Sequence, residues 1–150
     1  MARHSYTRCW LHMIWATHSR VRVLHSAEVR AKISDWLHQY AGEKDIYMKV
    51  NFVNPEHVHA LIDLPANLPM EEAVKLLKGA SSHWINAERV VSEPFQWQRG
   101  YGAFSVSPTR LDAVCKYILN QERHHKKRNF AEEIREFVES YGLQWREENE

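Results

Sequence analysis

Residues 46–65 read IYMKVNFVNPEHVHALIDLP, and this stretch decides the predicted fold. The segment 46–53 alternates in polarity and is rich in β-branched and aromatic side chains, a pattern typical of a strand. Its alternation predicts three apolar side chains on one face: Met48, Val50 and Phe52. The triplet NPE at 54–56 favours a turn, and HVHALIDL at 57–64 predicts a second strand. Together these segments predict an antiparallel hairpin.

The second strand of this hairpin has two chemically different faces, because successive side chains of a strand point to opposite sides. One face is uniformly apolar and is expected to pack under helices: Val58, Ala60, Ile62 and Leu64. The other face begins with two histidines: His57, His59, Leu61 and Asp63. Imidazole packs less well than an aliphatic side chain, so the histidine pair needs a functional explanation.

Apolar periodicity, together with capping and turn residues, predicts further strands and helices around the hairpin. Ser26 is a predicted helix N-cap, and Gly42 and Gly142 are expected to end the helices that precede them. Strands are expected at 9–16 and 95–107, and helices at 27–40, from Pro69 onward, at 109–127 and at 129–141.

The first six elements follow the order strand, helix, strand, strand, helix, strand. This is the ferredoxin-like βαββαβ order of the α+β class, an antiparallel sheet with two helices on one face. A C-terminal helix carrying Tyr117 comes after it. One domain is expected over 1–150, with a core at about 9–128, because no repeat or low-complexity linker divides the chain. The C-terminal helix and tail at 129–150 are expected to cover either the sheet or a dimer seam.

Composition is that of an ordinary soluble globular protein, with 44% hydrophobic and 26% charged residues in a length of 150. A net charge of +1 does not by itself indicate a nucleic-acid partner, which must be argued from local patches. Cys9 and Cys115 lack metal-site spacing and are expected to be buried free thiols. Neither a membrane span of about 18 apolar residues nor a secretory signal is evident, so a cytoplasmic location is expected.

His57 and His59 are candidate metal ligands. Alternate residues of one strand lie about 6–7 Å apart, and two ligands of one metal ion can have that separation. A pair of half-exposed histidines on an open sheet face is the alternative that this strand alone leaves open.

A second cluster of candidate residues occupies 114–128, which read VCKYILNQERHHKKR. On a helix, Tyr117 and Gln121 are spaced i, i+4 and lie on one face, with His124 and His125 a turn further on. Tyr117 is therefore expected at the edge of the buried stripe, beside an amide and a basic cluster. An interfacial tyrosine that packs its ring and hydrates its hydroxyl is the alternative.

Together these motifs resemble a known family. HVH at 57–59, followed in order by WQRGYGAFSVS at 97–107 and the helical YILNQERHH at 117–125, is similar to the single-tyrosine HUH transposases of small insertion sequences, including their repeat-associated relatives. The opening LHMIWATHSRVRVL resembles the same family, and the likeness covers about residues 9–141. HVH alone is a weak signal, but the ordered combination is specific.

The resemblance implies a divalent metal ion, magnesium or manganese, bound by His57, His59 and Gln121. It implies that Tyr117 is the nucleophile of a DNA strand transferase that cleaves single-stranded DNA and forms a 5′-phosphotyrosine. Because that ester keeps the energy of the broken linkage, the hydroxyl of another strand can attack it and rejoin the DNA. Similar proteins act on strands with hairpin ends and form homodimers, with the tyrosine acting in cis or in trans.

Several side chains are candidates for contacts with DNA. Trp97, Tyr101 and Phe104 could stack bases, although core positions are the alternative for most of them. Asp63 shares the histidine face and is expected to support the metal site only from outside its ligand set. The candidates for phosphate contacts are all basic: Arg20, Arg22, Lys116, His124, His125, Lys126, Lys127 and Arg128.

Two other functions stay open at this point. A dimeric protein of the same fold could bind hairpin or single-stranded DNA without cleaving it. A metal-dependent nuclease could use water as its nucleophile and leave Tyr117 structural. The joint presence of HVH, Tyr117 and Gln121 favours the transferase, because none of them is needed for binding alone.

Overall fold

The computed structural model describes residues 5–125 and 127–146. Its centre is a four-stranded antiparallel sheet in the order β2-β3-β1-β4. The strands are β1 (Trp10–Ala16), β2 (Tyr47–Val53), β3 (His57–Asp63) and β4 (Gly102–Ser105). The predicted hairpin is β2 and β3, so the histidine-bearing strand lies inside the sheet, between β2 and β1.

The described residues also form five α-helices and two short 3-10 turns. The helices are α1 (Ala27–Glu43), α2 (Met70–Ala87), α3 (Leu111–Leu119), α4 (Gln121–His125) and α5 (Phe130–Ser140), and the turns span His18–Arg20 and Pro108–Arg110. The α+β class and the βαββαβ order of the first six strands and α-helices are confirmed. None of the described helices has the length and apolar character that a bilayer crossing requires.

The apolar face of β3 packs against α1 and α2, as predicted. Val58, Ala60 and Ile62 belong to the main core cluster, together with Leu37 of α1 and Leu77 of α2. All five are inaccessible to solvent. Burial of each of the four larger side chains stabilises by roughly 1.5–3 kcal/mol, so this cluster fixes which face of β3 points toward α1 and α2.

The histidine face of β3 is covered by the C-terminal helices. Ile118 of α3 packs in a cluster with Trp10 and Leu61, while Phe130 of α5 packs in another with Ile14 and Phe104. The alternative of half-exposed histidines on an open sheet face is therefore wrong. The segment 129–150 was expected to cover either the sheet or a dimer seam. Within its described residues, α5 covers the sheet.

Met48, Val50 and Phe52 were predicted to lie on one face of β2. A bulge in this strand makes that prediction wrong. The pairing with β3 shifts between Met48 and Val50, so that Met48 lies opposite Ile62 and Val50 opposite Leu61. Met48 consequently joins the core under α1 and α2, whereas Val50 and Phe52 pack beneath α3. One extra residue in a strand reverses the face of everything beyond it.

The helix predicted at 109–127 is divided at Asn120. This residue caps α3 with φ −103° and ψ 29°, and α4 begins at the next residue. Asparagine is a poor helix former because its side chain competes for backbone hydrogen bonds. Tyr117 and Gln121 therefore lie on two successive helices.

The strand predicted at 95–107 is much shorter than expected. Only Gly102–Ser105 forms β4, while Trp97 makes a single bridge to Thr17. Trp97 and Phe104 are buried in the core clusters, which leaves Tyr101 exposed. Both cysteines are free, as predicted, but neither is buried: Cys9 is exposed and Cys115 is only partly buried.

Two glycines expected to end helices differ in their backbone geometry. Gly142 has φ +73°, and the bonds from Leu143 N–H to the Val138 carbonyl and from Gly142 N–H to the Glu139 carbonyl, each 3.0 Å, form the Schellman end of α5. Gly42 instead lies inside α1, which was predicted to stop at 40 and continues to Glu43.

Replacing each of these glycines by alanine should change the free energy of unfolding in opposite directions. Gly42→Ala should stabilise by about 0.5–1 kcal/mol, because alanine restricts the unfolded chain and suits a helix. An added Cβ at Gly42 would meet no atom within 4 Å. Gly142→Ala should destabilise by about 1–2 kcal/mol, because alanine is strained at positive φ. Urea denaturation measures both, and a stabilising Gly142→Ala would contradict the left-handed end of α5.

Candidate active site

The two histidines of β3 converge on one point beneath α5. Both are fully buried, and their Nε2 atoms lie 3.2 Å apart. This separation is shorter than the 6–7 Å that strand spacing alone predicts, because the two rings lean together, with their centroids 5.0 Å apart. The Nε2 atoms of both imidazoles are therefore close enough to bind the same metal ion.

The opposite nitrogen of each ring has its own protein partner. Nδ1 of His57 lies 2.7 Å from Oε1 of Glu56, and Nδ1 of His59 lies 2.7 Å from Nε2 of His12 on β1. A carboxylate accepts but does not donate, so Nδ1 of His57 carries a proton. Such partners fix the tautomer and orientation of metal-binding histidines in other proteins.

Glu133 of α5 reaches into the same cluster. Its Oε1 lies 3.2 Å from Nε2 of His57, 3.1 Å from Nε2 of His59 and 3.2 Å from Nε2 of His125. The carboxylate is fully buried. His57, His125 and Glu133 each offer a ligand atom within 4.8 Å of the others, so this group could hold a metal ion.

Gln121, predicted as a metal ligand, is buried beside these residues. Its Oε1 accepts a hydrogen bond from Nδ2 of Asn54 at 3.2 Å and lies 3.1 Å from Nε2 of His125. Nδ2 of Asn54 in turn lies 3.2 Å from Nε2 of His57. The amide oxygen of Gln121 thus borders the histidine cluster through Asn54 and His125.

Tyr117 lies at the edge of the cluster in the same chain as the histidines. Its ring centroid is 5.9 Å from that of His59. Its hydroxyl donates a hydrogen bond to Oε2 of Glu133 and accepts one from Nη2 of Arg128 at 3.2 Å. One carboxylate therefore links the phenol to the imidazoles, with Oε2 on one side and Oε1 on the other.

Burial and neighbouring charge shift the pKa values of the two β3 histidines in opposite directions. Burial lowers the pKa of His59 to about 4, despite the opposing effect of Glu133. Burial also disfavours the charged form of His57, but hydrogen bonds with Glu133 and Glu56 outweigh it and raise the pKa of His57. His59 is therefore neutral at physiological pH, the form in which an imidazole binds metal.

The carboxylate and the phenol have shifted protonation equilibria as well. Burial alone would raise the pKa of Glu133, yet hydrogen bonds with His125, His57 and His59 hold it well below its usual range. Burial and then the adjacent Glu133 charge raise the pKa of Tyr117. In this arrangement Tyr117 is a neutral phenol that faces an ionised carboxylate.

Some of the basic residues predicted to contact phosphate have protein partners. Arg22 forms a 2.6 Å ion pair with Glu56, and Arg20 lies over the ring of Phe130 at 5.5 Å. Arg128 pairs with Glu136 in addition to Tyr117.

His124 stacks on Tyr117 with a centroid separation of 4.6 Å, and His125 belongs to the Glu133 cluster. Lys116 and Lys127 are exposed, while Lys126 lies outside the described residues. Asp63 binds the backbone N–H of Cys9 at 2.9 Å, away from the histidine cluster.

Sequence reasoning missed three residues of this cluster: His12, Glu56 and Glu133. Glu56 directly precedes the HVH motif, but the direction in which its side chain points depends on the turn at 54–56. Glu133 had a readable signal, because it lies three residues after Phe130 and four before Phe137, within the apolar stripe of α5. His12 pairs with His59 only through the register between β1 and β3, in which Ile14 lies opposite His59.

Comparison with known proteins decides the family. The family described as "Transposase IS200 like" matches residues 5–121. The chain belongs to this family. The matched span includes His57, His59 and Tyr117 and ends at Gln121, so α5 and Glu133 lie beyond it.

Individual relatives agree with this assignment. The ISDra2 transposase TnpA of Deinococcus radiodurans is 30% identical over 115 residues, which cover 73% of this chain and 81% of that protein. A crystal structure of a candidate transposase from Deinococcus radiodurans R1 superposes with a TM-score of 0.64 at 28% identity, covering 81% of this chain and 96% of the other.

A more distant solved structure shares the fold. A REP-associated tyrosine transposase bound to a REP hairpin superposes with a TM-score of 0.58 at 15% identity, over 83% of this chain and 73% of that one. The predicted family resemblance is confirmed by these matches. As an IS200-like transposase, the protein is an enzyme of DNA transposition, a DNA strand transferase.

With a chelator present, so that no metal ion competes with protons, the two β3 histidines should titrate differently. At pH 6, His59 should be neutral because of its burial, whereas His57 should be protonated because it lies between Glu56 and Glu133. Long-range proton–nitrogen NMR correlations distinguish these forms, and a His57→Gln variant assigns the signals. Protonation of His59 at or above pH 6.5 would contradict the described packing.

Proposed function

We propose that this transposase cleaves and rejoins single-stranded DNA in a metal-dependent reaction, with Tyr117 as the nucleophile and a 5′-phosphotyrosine as the intermediate. The supporting observation is the link between Tyr117 and the two β3 histidines through Glu133. Its Oε2 accepts the phenol hydrogen bond, and its Oε1 lies 3.1–3.2 Å from both imidazoles. A phenol and a prospective metal site thus adjoin in one chain.

The residues of the cluster fit a divalent metal ion. His57 and His59 would bind it through Nε2, since their Nδ1 atoms already have partners, and the amide oxygen of Gln121 would be a third ligand. Magnesium and manganese both fit: nitrogen ligands suit manganese, while cellular abundance favours magnesium. When bound, such an ion would withdraw charge from the scissile phosphate and from the leaving oxygen.

Tyr117 would attack the phosphorus atom through its phenolic oxygen. A Tyr–O–P bond forms, the bond from phosphorus to the 3′ oxygen breaks, and the DNA is left with a free 3′-hydroxyl. The phenol loses one proton and the leaving oxygen gains one, so the step is balanced. A 3′-hydroxyl on another strand then reverses the step and rejoins the DNA without a nucleotide cofactor.

Access of DNA requires a rearrangement of α5. His57, His59, Gln121 and Glu133 are all inaccessible to solvent, so a phosphate cannot reach them while α5 stays on the sheet. The described arrangement therefore corresponds to a closed form of the site. The closed form also disfavours the phenolate of Tyr117, because burial and Glu133 raise its pKa.

The proposed substrate is single-stranded DNA, with hairpin ends. A solved relative of the same fold is bound to a REP hairpin, and basic side chains surround the tyrosine helix. Lys116 and Lys127 are exposed, and exposed Tyr101 is the strongest of the three predicted candidates for base stacking. A homodimer and a cytoplasmic location stay predictions.

A covalent protein–DNA adduct is the direct test of this mechanism. Incubation with manganese and end-labelled, hairpin-bearing single strands should give an adduct that survives denaturation, and Tyr117→Phe should abolish it, because no oxygen remains to bond phosphorus. Tyr47→Phe is the matched control, since Tyr47 is about half exposed on β2 and should retain the adduct. Denaturing gel electrophoresis measures the labelled band.

Other outcomes would identify a different function. Free cleaved DNA at an unchanged rate in Tyr117→Phe would indicate a nuclease that uses water. Tight binding without cleavage across many hairpin-bearing strands would indicate a DNA-binding protein. Either result overturns the proposal.

Lys116 should increase the affinity for DNA by contacting a backbone phosphate, independently of the base sequence. Lys116→Ala should weaken binding similarly for all sequences, and it should reduce the slope of log affinity against log salt by about 0.7, as expected for one lost phosphate contact to a single strand. Lys32→Ala is the control, because Lys32 lies on α1, across the sheet from α3, where it contacts the ring of Trp84. Fluorescence anisotropy at several salt concentrations measures both, and an unchanged slope for Lys116→Ala would remove Lys116 from the DNA-binding surface.

A further inference from the structure

We infer that Glu133 of α5 is itself a ligand of the divalent metal in the DNA-free enzyme, adding a carboxylate to the imidazoles of His57 and His59. The inference rests on the proposed metal site but assigns a residue beyond it. Glu133 lies outside the family match, which ends at residue 121. Nothing in the HVH motif or in the tyrosine helix predicts it.

The distances around Glu133 suit a shared ion. Its Oε1 lies 3.1 Å from Nε2 of His59 and 3.2 Å from Nε2 of His57, while the two nitrogens are 3.2 Å apart. Ligand atoms at roughly 2.1 Å from an ion and at right angles to each other lie about 3 Å apart. The three atoms therefore have the mutual spacing of neighbours in one coordination shell.

The chemistry of these atoms favours a cation between them. Nδ1 of His57 donates to Glu56, so a metal ion that displaces the proton from Nε2 would meet the lone pair of that nitrogen. Oε1 of Glu133 presents lone pairs to the same point and has no contact with solvent. Without metal, imidazole protons compensate this buried carboxylate. A divalent ion in their place would compensate the same carboxylate and bind both imidazoles.

Packing holds Glu133 in this position. Phe130, one turn earlier on α5, stacks on the ring of His57 with centroids 4.1 Å apart. Phe137, one turn later, meets the ring of His12 edge to face at 5.0 Å. Side chains on both sides thus seat α5 on the histidine cluster, so that Glu133 has little freedom to point elsewhere.

Affinity for Mn²⁺ tests the assignment without any need for activity. In the full chain without DNA, Glu133→Gln should weaken Mn²⁺ binding at least tenfold, because a charged ligand becomes a neutral one. Glu132→Gln removes the same charge from an exposed neighbour and should leave the affinity unchanged. His57→Gln should abolish detectable binding. Titration calorimetry and electron paramagnetic resonance of free Mn²⁺ measure the affinities, with circular dichroism as the check of folding.

The outcomes separate this inference from the proposed function. Equal Mn²⁺ affinity in the unmodified protein and in Glu133→Gln, with loss in His57→Gln, would overturn the role of Glu133 and leave the metal site intact. Absence of Mn²⁺ binding in the unmodified protein would overturn both. A crystal of the unmodified protein grown with Mn²⁺ gives a test that needs no variant. Anomalous density within about 2.2 Å of Oε1 supports the inference, and an ion on the histidines alone overturns it.

Discussion

The contact of one buried carboxylate oxygen with three imidazoles is the constraint on which the rest of this site depends. Oε1 of Glu133 lies within 3.2 Å of Nε2 on His57, His59 and His125. An ionised carboxylate without water is strongly unfavourable unless positive charge or proton donors surround it. The raised pKa of His57 and the raised pKa of the Tyr117 phenol both depend in part on this carboxylate.

The same contacts that assemble the site also close it. Phe130 and Phe137 seat α5 on the histidine face, and the Asn129 cap and the left-handed Gly142 define the two ends of this short helix. An 11-residue helix held mainly by one apolar stripe is among the elements that open most easily in a folded protein. A closed resting form and an opened working form are therefore compatible with one fold.

Family membership and geometry carry different parts of the functional argument. The match over residues 5–121 assigns DNA strand transfer and contains the histidine pair, Tyr117 and Gln121. The geometry adds that these residues meet within a single chain, and that β1 supports them, since His12 lies against Nδ1 of His59. The C-terminal helix adds a carboxylate that the family match does not reach.

The sequence by itself determined the β2–β3 hairpin, the helices under its apolar face, the histidine pair and the tyrosine helix, because alternation, periodicity and ordered motifs are local properties of a chain. The left-handed end of α5 at Gly142 was also readable, whereas the bulge in β2 and the break at Asn120 were not, since neighbouring elements decide them. Only the tertiary structure brought Glu133 and His12 to the histidines. Those contacts join residues 74 and 47 positions apart, and they depend on how α5 docks and on the register of β1 against β3, which no local pattern specifies.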